Sequence, residues 1–422
     1  MNRLLFSFLV FSLAACSGLH RISNSDLSWQ YRNDPSWLKP QYAIVHESAD
    51  SSTLYLRLPV ADILYKRSDD GEMKADFSLR FIFFQSYESK KIIDSLSVSF
   101  SPPYSNDSNA IVIKSFGFRH PNQNCLLALR LNDLNRGSFK ESFIDVDVSK
   151  QSRQDFDIRA DNDNFPLFSS VINNAFSNNL SVSDYEGTSE MWVRCFFREY
   201  PVALPPFSTK PPQIFSYTSD SSYSVSADNN GKFNINPLRY GIYHLQFDTM
   251  IKSGATLFHF DESYPEVTNT NLLIEALRYL TTAKEYDELM SADDKKAAVD
   301  DFWIKVSGSK ERARFLIRMF YTRMQNANRF FTSYLEGWKT DRGMIYLVFG
   351  PPKTVYRTAE AEYWEYGTYR GYGALSFSFQ KINNPFTDND FVLVRSASYE
   401  PVWYMAVDNW RQGRISGEDI HD

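Results

Sequence analysis

Cysteine is scarce in this 422-residue sequence. There are three, Cys16, Cys125 and Cys195, so neither a disulfide framework nor a paired-thiolate metal site is in view. Cys125 shares parity with Leu127, Leu129 and Leu131, and Cys195 with Val193 and Phe197, so each is expected as a buried free thiol on its own strand. Excess charge of either sign is also missing. The 45 Lys and Arg stand against 51 Asp and Glu, a net −6, and the basic residues are dispersed, which excludes a nucleic-acid footprint. Long apolar runs are absent beyond Leu4 to Leu13, itself too short to span a bilayer. The motifs of zinc proteases, serine hydrolases and phosphate-binding loops are absent too. No cofactor, metal or catalytic set is expected. His244 and His259 sit at polar parity in strands and read as solvated or locally bonded. Asp161 to Asn164 reads as a turn, since the glycine and distal Glu of a calcium loop are missing.

Aromatics are plentiful, at 16%, and mostly alternate as in well-filled β structure. From Gln41 to about Lys150, strands such as Thr53 to Leu58, Phe77 to Phe83 and Cys125 to Leu131 alternate between turn clusters. A second β set runs from Phe165 to Asp261, crossed by a proline-rich connector from Pro201 to Pro212. Helical periodicity begins only after Tyr264-Pro265, with one helix expected over Asn271 to Met290. The next is expected to be capped near Ser291 and to end near Gly308. A third is expected over Lys310 to Leu335. The expected fold is mainly β with α+β: two antiparallel β-sandwiches (41–150 and 151–262), then helices with a small antiparallel sheet (263–422).

The N-terminus has a short positive start, the apolar run and Leu13-Ala14-Ala15-Cys16, which resembles a bacterial lipobox. A signal peptide over 1–15 and acylation of Cys16 follow from that resemblance. Ser17 in place of Asp favours the outer membrane, and no acidic run argues for surface export, so the periplasmic face is expected. Residues 16–40 look like a tether, whose Trp29, Tyr31 and Trp37 dock on this protein or a partner.

The chain is organised around Glu336 to Pro352. It reads as a helix end at Gly337, a Thr340-Asp341-Arg342-Gly343 turn, a buried strand from Met344 to Phe349, and a stop at Gly350-Pro351-Pro352. Gly337-Trp338-Lys339-Thr340-Asp341, continued by Arg342-Gly343 and Gly350-Pro351-Pro352, resembles the signature of the GWxTD-domain family. These are lipoproteins and secreted proteins of Gram-negative bacteria. The resemblance runs from about Ser291 to Trp364. It implies that Gly337, Trp338, Thr340, Asp341, Arg342, Gly343, Gly350, Pro351, Pro352 and Trp364 are structural or partner-binding.

Tyr366, Tyr369, Arg370 and Tyr372, interleaved with glycines, form a candidate binding loop. Arg312, Arg314, Arg318, Arg323 and Arg329 give one helix a basic side, read as salt-bridged or solvated. The C-terminal order loosely resembles the small lipoprotein of the β-barrel assembly machine. The expected function is a non-enzymatic, outer-membrane-anchored scaffold of an envelope complex. It is held to the membrane by its N-terminal lipid and binds a protein partner. The alternatives are a periplasmic hydrolase or cell-wall enzyme and a surface glycan-binding lipoprotein.

Overall fold

Alternation along Ser51–Pro59 puts Ser52, Leu54, Leu56 and Leu58 on one buried face. Phe77–Phe84 does the same with Phe77, Leu79, Phe81 and Phe83. The structure is a computed structural model and describes residues 21–32, 38–160, 163–173, 180–184, 187–210, 215–368 and 374–415.

The first unit holds β1 (Gln41–His46), β2 (Ser51–Pro59), the short ribbon β3 (Lys66–Arg67) and β4 (Met73–Lys74), β5 (Phe77–Phe84), β6 (Ile92–Phe100), β7 (Ile111–Arg119), β8 (Cys125–Asp133) and β9 (Ser138–Val146). Sheets β1-β2-β7 and β6-β5-β8-β9, all pairs antiparallel, enclose one core. Each buried Phe or Leu there contributes roughly 1.5–3 kcal/mol.

The second unit holds β10 (Asp157–Ala160), β11 (Leu180–Ser183), β12 (Glu190–Phe196), β13 (Ser221–Ser226), β14 (Phe233–Ile235), β15 (Gly241–Gln246) and β16 (Ala255–His259). Its sheets are β10-β11-β14 and β13-β12-β15-β16. Cys125 and Cys195 are buried and free, one in each core.

Of the two states expected for His244 and His259, local bonding holds and solvation does not. Both are fully buried, because the second sheet is covered on both faces: Phe196, Ile242 and Phe258 pack against Phe386. His244 meets Thr256 Oγ1 and Lys252 O, each at 2.9 Å. His259 Nδ1 meets Pro237 O at 2.8 Å.

The third unit begins with α1 (Thr270–Leu277), α2 (Ala283–Ser291), α3 (Lys295–Ser307) and α4 (Lys310–Phe331). The single helix expected over Asn271 to Met290 is two. Thr282 opens α2 with a capping box, its amide donating to Glu285 at 2.9 Å. Asp294, not Ser291, caps α3. Gly308 ends α3 at φ 76°, and Ser309 caps α4. α4 stops at Phe331, short of Leu335.

The expected strand from Met344 to Phe349 is a helix, α5 (Asp341–Phe349). Its side chains are buried almost all round, so no polar face marks the helical period, and a short apolar run is then ambiguous between strand and helix. Thr340 decides it as N-cap, accepting the Gly343 amide at 3.0 Å. The β-barrel-assembly analogy leaned on that strand and loses this support.

After α5 come β17 (Thr354–Arg357), β18 (Ala361–Thr368), β19 (Ala374–Lys381) and β20 (Phe391–Leu393), an antiparallel sheet in chain order. Last is α6 (Glu400–Arg411), which places Trp403 and Trp410 in the core. That core also takes in Phe84, Leu126 and Ala128 from the outer face of β5 and β8. The first sandwich is therefore packed onto the third unit.

The expected tether docks on the protein itself over Ile22–Tyr31. Leu27 N donates to Val355 O at 2.8 Å, and Val355 N to Asp26 Oδ1 at 2.9 Å. Trp37 lies outside the described residues.

Candidate functional site

Three backbone segments stack at the signature. A Cβ on Gly337 would sit 2.0 Å from Ala327 O of α4, and one on Gly343 would sit 1.9 Å from Gly337 O. Only glycine allows that approach. Gly337 therefore serves close packing, not the left-handed helix end expected of it. Trp338 is 1% exposed, and its amide donates to Asn328 Oδ1 at 3.2 Å. Thr340 Oγ1 also donates to Gly337 O at 2.7 Å. Gly350, at φ 84°, closes α5 with its amide on Tyr346 O at 2.8 Å. Pro351 and the buried Pro352 then lead into β17.

Asp341 and Arg342 do not pair with each other. Asp341 Oδ2 accepts the Leu393 amide at 2.8 Å and Arg395 Nη1 at 3.1 Å. Arg342 Nη1 donates to Glu362 at 3.1 Å and Nη2 to Asn389 O at 2.9 Å. The Arg342 guanidinium lies over Phe391 and Phe331, 4.1 and 5.2 Å from the ring centres. Glu362 is the hub. It is 0% exposed, accepts Tyr31 Oη and Trp364 Nε1, and lies 3.7 Å from Arg357 Nε. Burial opposes its ionisation, but Arg342 and then Arg357 outweigh it and hold the carboxyl below the usual range. Burial, then the Glu362 charge, keep the Tyr31 hydroxyl protonated far above its ordinary range. Trp364 is fully buried among Tyr31, Phe331 and Phe379.

The proline-rich connector straps this corner. Ala203 N donates to Lys339 O at 2.8 Å, Arg395 Nη2 to Leu204 O at 3.1 Å, and Ser396 N to Pro206 O at 3.1 Å. A cavity of about 320 Å³ lies beneath it, beside Asp341 and Arg395.

Tyr366 packs against Phe349 and Phe377, and its hydroxyl donates to Gly350 O at 2.9 Å. Tyr369, Arg370, Tyr372 and Cys16 lie outside the described residues. Of the basic side of α4, Arg312 holds the Gly413 and Ile415 carbonyls. Arg323 is buried over Trp410, and Arg329 pairs with Glu266. Arg314 and Arg318 are exposed. Sequence reasoning singled out Tyr31 as a docking aromatic but not its partner, and missed Glu362 and Arg395. Glu362 had a signal: it shares parity in β18 with the inward Trp364.

Residues 241–412 match the family model described as GWxTD domain. The chain carries a GWxTD domain. The match takes in β15 and β16, α1 to α6 and the final sheet. No curated protein matches the chain.

A second feature lies between the GWxTD domain and both sandwiches. It is a polar trough of about 560 Å³. It continues into a lobe of about 410 Å³ at one end and one of about 170 Å³ at the other. Asp145, Asp147 and Asp388 line its first end. Among the described residues, no group of three His, Cys, Asp or Glu side chains is placed to hold a metal ion.

Proposed function

We propose that this chain is an outer-membrane lipoprotein, acylated at Cys16 on the periplasmic face, and a non-enzymatic scaffold of an envelope assembly or secretion complex. One observation carries the scaffold reading. The polar side chains of the signature are spent inside the fold: Thr340 on Gly343 and Gly337, Asp341 on Leu393 and Arg395, Arg342 on Glu362 and Asn389. The signature thereby builds a rigid corner that joins the connector, the N-terminal segment and the last sheet, as a docking module requires. The lipobox resemblance at Leu13 to Cys16 supports the anchor.

Two measurements test this. Metabolic labelling with an alkyne fatty acid should mark the wild-type chain and not Cys16→Ser. A photoreactive residue in place of the exposed Tyr363 should crosslink one reproducible envelope protein in intact cells, and one in place of Ser68 should not. A folded, membrane-bound protein with no specific adduct from Tyr363 refutes the scaffold reading. The three carboxylates beside the trough favour a second reading, a periplasmic hydrolase with its chemistry there.

A further inference from the structure

The trough walls come from all three units: Tyr87 and Phe143 from the first sandwich, Arg153 and Ser170 from the second, Arg357 and Asn384 from the GWxTD domain. Its size is that of a ligand pocket, and its charge is divided. Asp145, Asp147 and Asp388, with Arg357, are shared with the 410 Å³ lobe, and Arg153 with the 170 Å³ lobe, so the three acids and the Arg153 guanidinium line different lobes.

At the acidic end Lys381 reaches Asp145 at 3.4 Å. Arg357 is already turned to Glu362. Asp388 faces the trough and accepts no hydrogen bond from any described residue. Asp388 is open to solvent at the trough mouth; the protein packed around it, and then the Asp145 and Asp147 charges, push its carboxyl upward while Lys381 pulls it down. At the far end Arg153 donates Nη1 to Phe156 O at 3.0 Å. It forms no ion pair with a described carboxylate, because its neighbour Asp157 is held by Arg159 at 2.7 Å. Burial pulls the Arg153 guanidinium down to about 10.

Next to Arg153, in the same lobe, Gln154 shows what chemistry the wall accepts. Its carboxamide donates to Asp145 O at 2.8 Å and accepts the Asp147 amide at 2.9 Å. An amide group thus already pairs with the edge of β9 as a neighbouring strand would. We propose that the trough binds a short zwitterionic peptide, with its ammonium at Asp145, Asp147 and Asp388 and its carboxylate at Arg153. The separated charges and the amide-pairing wall favour a peptide over a neutral glycan.

Calorimetric titration of the full mature chain with trialanine tests this. Saturable one-to-one binding is expected. N-acetylation should weaken it about tenfold, as should C-amidation, each removing one charge-assisted contact. Asp388→Asn should weaken trialanine but leave the acetylated peptide unchanged, and Arg153→Gln should do the same for the amidated one. The blocked peptides make the test without altering the protein. The proposal is overturned by no saturable heat with trialanine, by equal binding of blocked and free peptides, or by maltotriose binding as well as trialanine. Such a failure leaves the anchored-scaffold reading intact, since that rests on the signature corner.

Discussion

Glu362→Gln keeps the side-chain shape and removes the charge on which Tyr31, Arg342 and Arg357 converge. Arg342 and Glu362 are 1% and 0% exposed, so water cannot replace the lost carboxylate. An exposed pair would contribute only ~0–1 kcal/mol. Deleting one partner of a buried pair costs ~3–5 kcal/mol, because the other charge stays buried and uncompensated. For a unit of this size each kcal/mol moves the melting temperature by ~2–4 °C, so a fall of roughly 6–20 °C is expected by calorimetry. Arg342→Met combined with Glu362→Gln should recover part of the loss, since it removes a stranded charge. The acid limb carries a second signature. The Glu362 carboxyl ionises at lower pH folded than unfolded. Its contribution is therefore complete above about pH 4.3 and is lost as pH falls below that toward the folded value. The variant should lose less stability over that window than wild type. A fall below about 2 °C, with an unchanged acid limb, would refute the hub.

Gly343→Ala sets two effects against each other. Alanine gains up to ~1 kcal/mol of helix propensity, but its Cβ meets a backbone oxygen at 1.9 Å and overpacking costs ~1–3 kcal/mol or more. Net destabilisation in urea is expected for it and for Gly337→Ala, and a stabilised variant would refute the close-packing account. Burial lowers the His244 imidazole to about 4, with the Lys252 carbonyl pulling the other way. It thus binds its proton less readily folded than unfolded. The stability it contributes is complete above about pH 6.5 and is lost as pH falls toward 4. Proton NMR should find His244 neutral at pH 6, and titration near 6.5 would refute its burial.

The sandwiches were legible because a half-buried sheet writes its inward face into every second residue, as in Phe77 to Phe83. That rule weakens where both faces are covered. Leu126 and Ala128 are buried opposite the Cys125 to Leu131 face, and His244 and His259 lie on a second covered face. α5 failed for the same reason: burial on all sides erases the period. Glycine was legible in type but not in role, since Gly337 looks alike in a left-handed cap and in a close backbone contact. The partners of Arg342 and Asp341 lie 20 and 54 residues away, set by sheet pairing that local pattern does not encode.

The docked N-terminal segment changes the geometry of anchoring. Were residues 16–40 a free stalk, the domain could sit far from the bilayer. Instead Ser23 N donates to Tyr87 O at 2.9 Å and Leu27 is paired with β17, so in the proposed lipoprotein Cys16 lies only six positions of sequence before the docked Ile22. So short a segment spans at most ~22 Å when fully extended. If Cys16 is acylated as proposed, the face where the GWxTD domain meets the first sandwich is held near the membrane, and an integral outer-membrane partner would lie within its reach. Inserting twenty Gly-Ser residues after Ser17 should leave melting unchanged. It adds a leash of about 25 Å root-mean-square, so the adduct from position 363 should drop several-fold. An undiminished adduct would mean that the partner is not fixed in the membrane, and the short leash would carry no role in finding it.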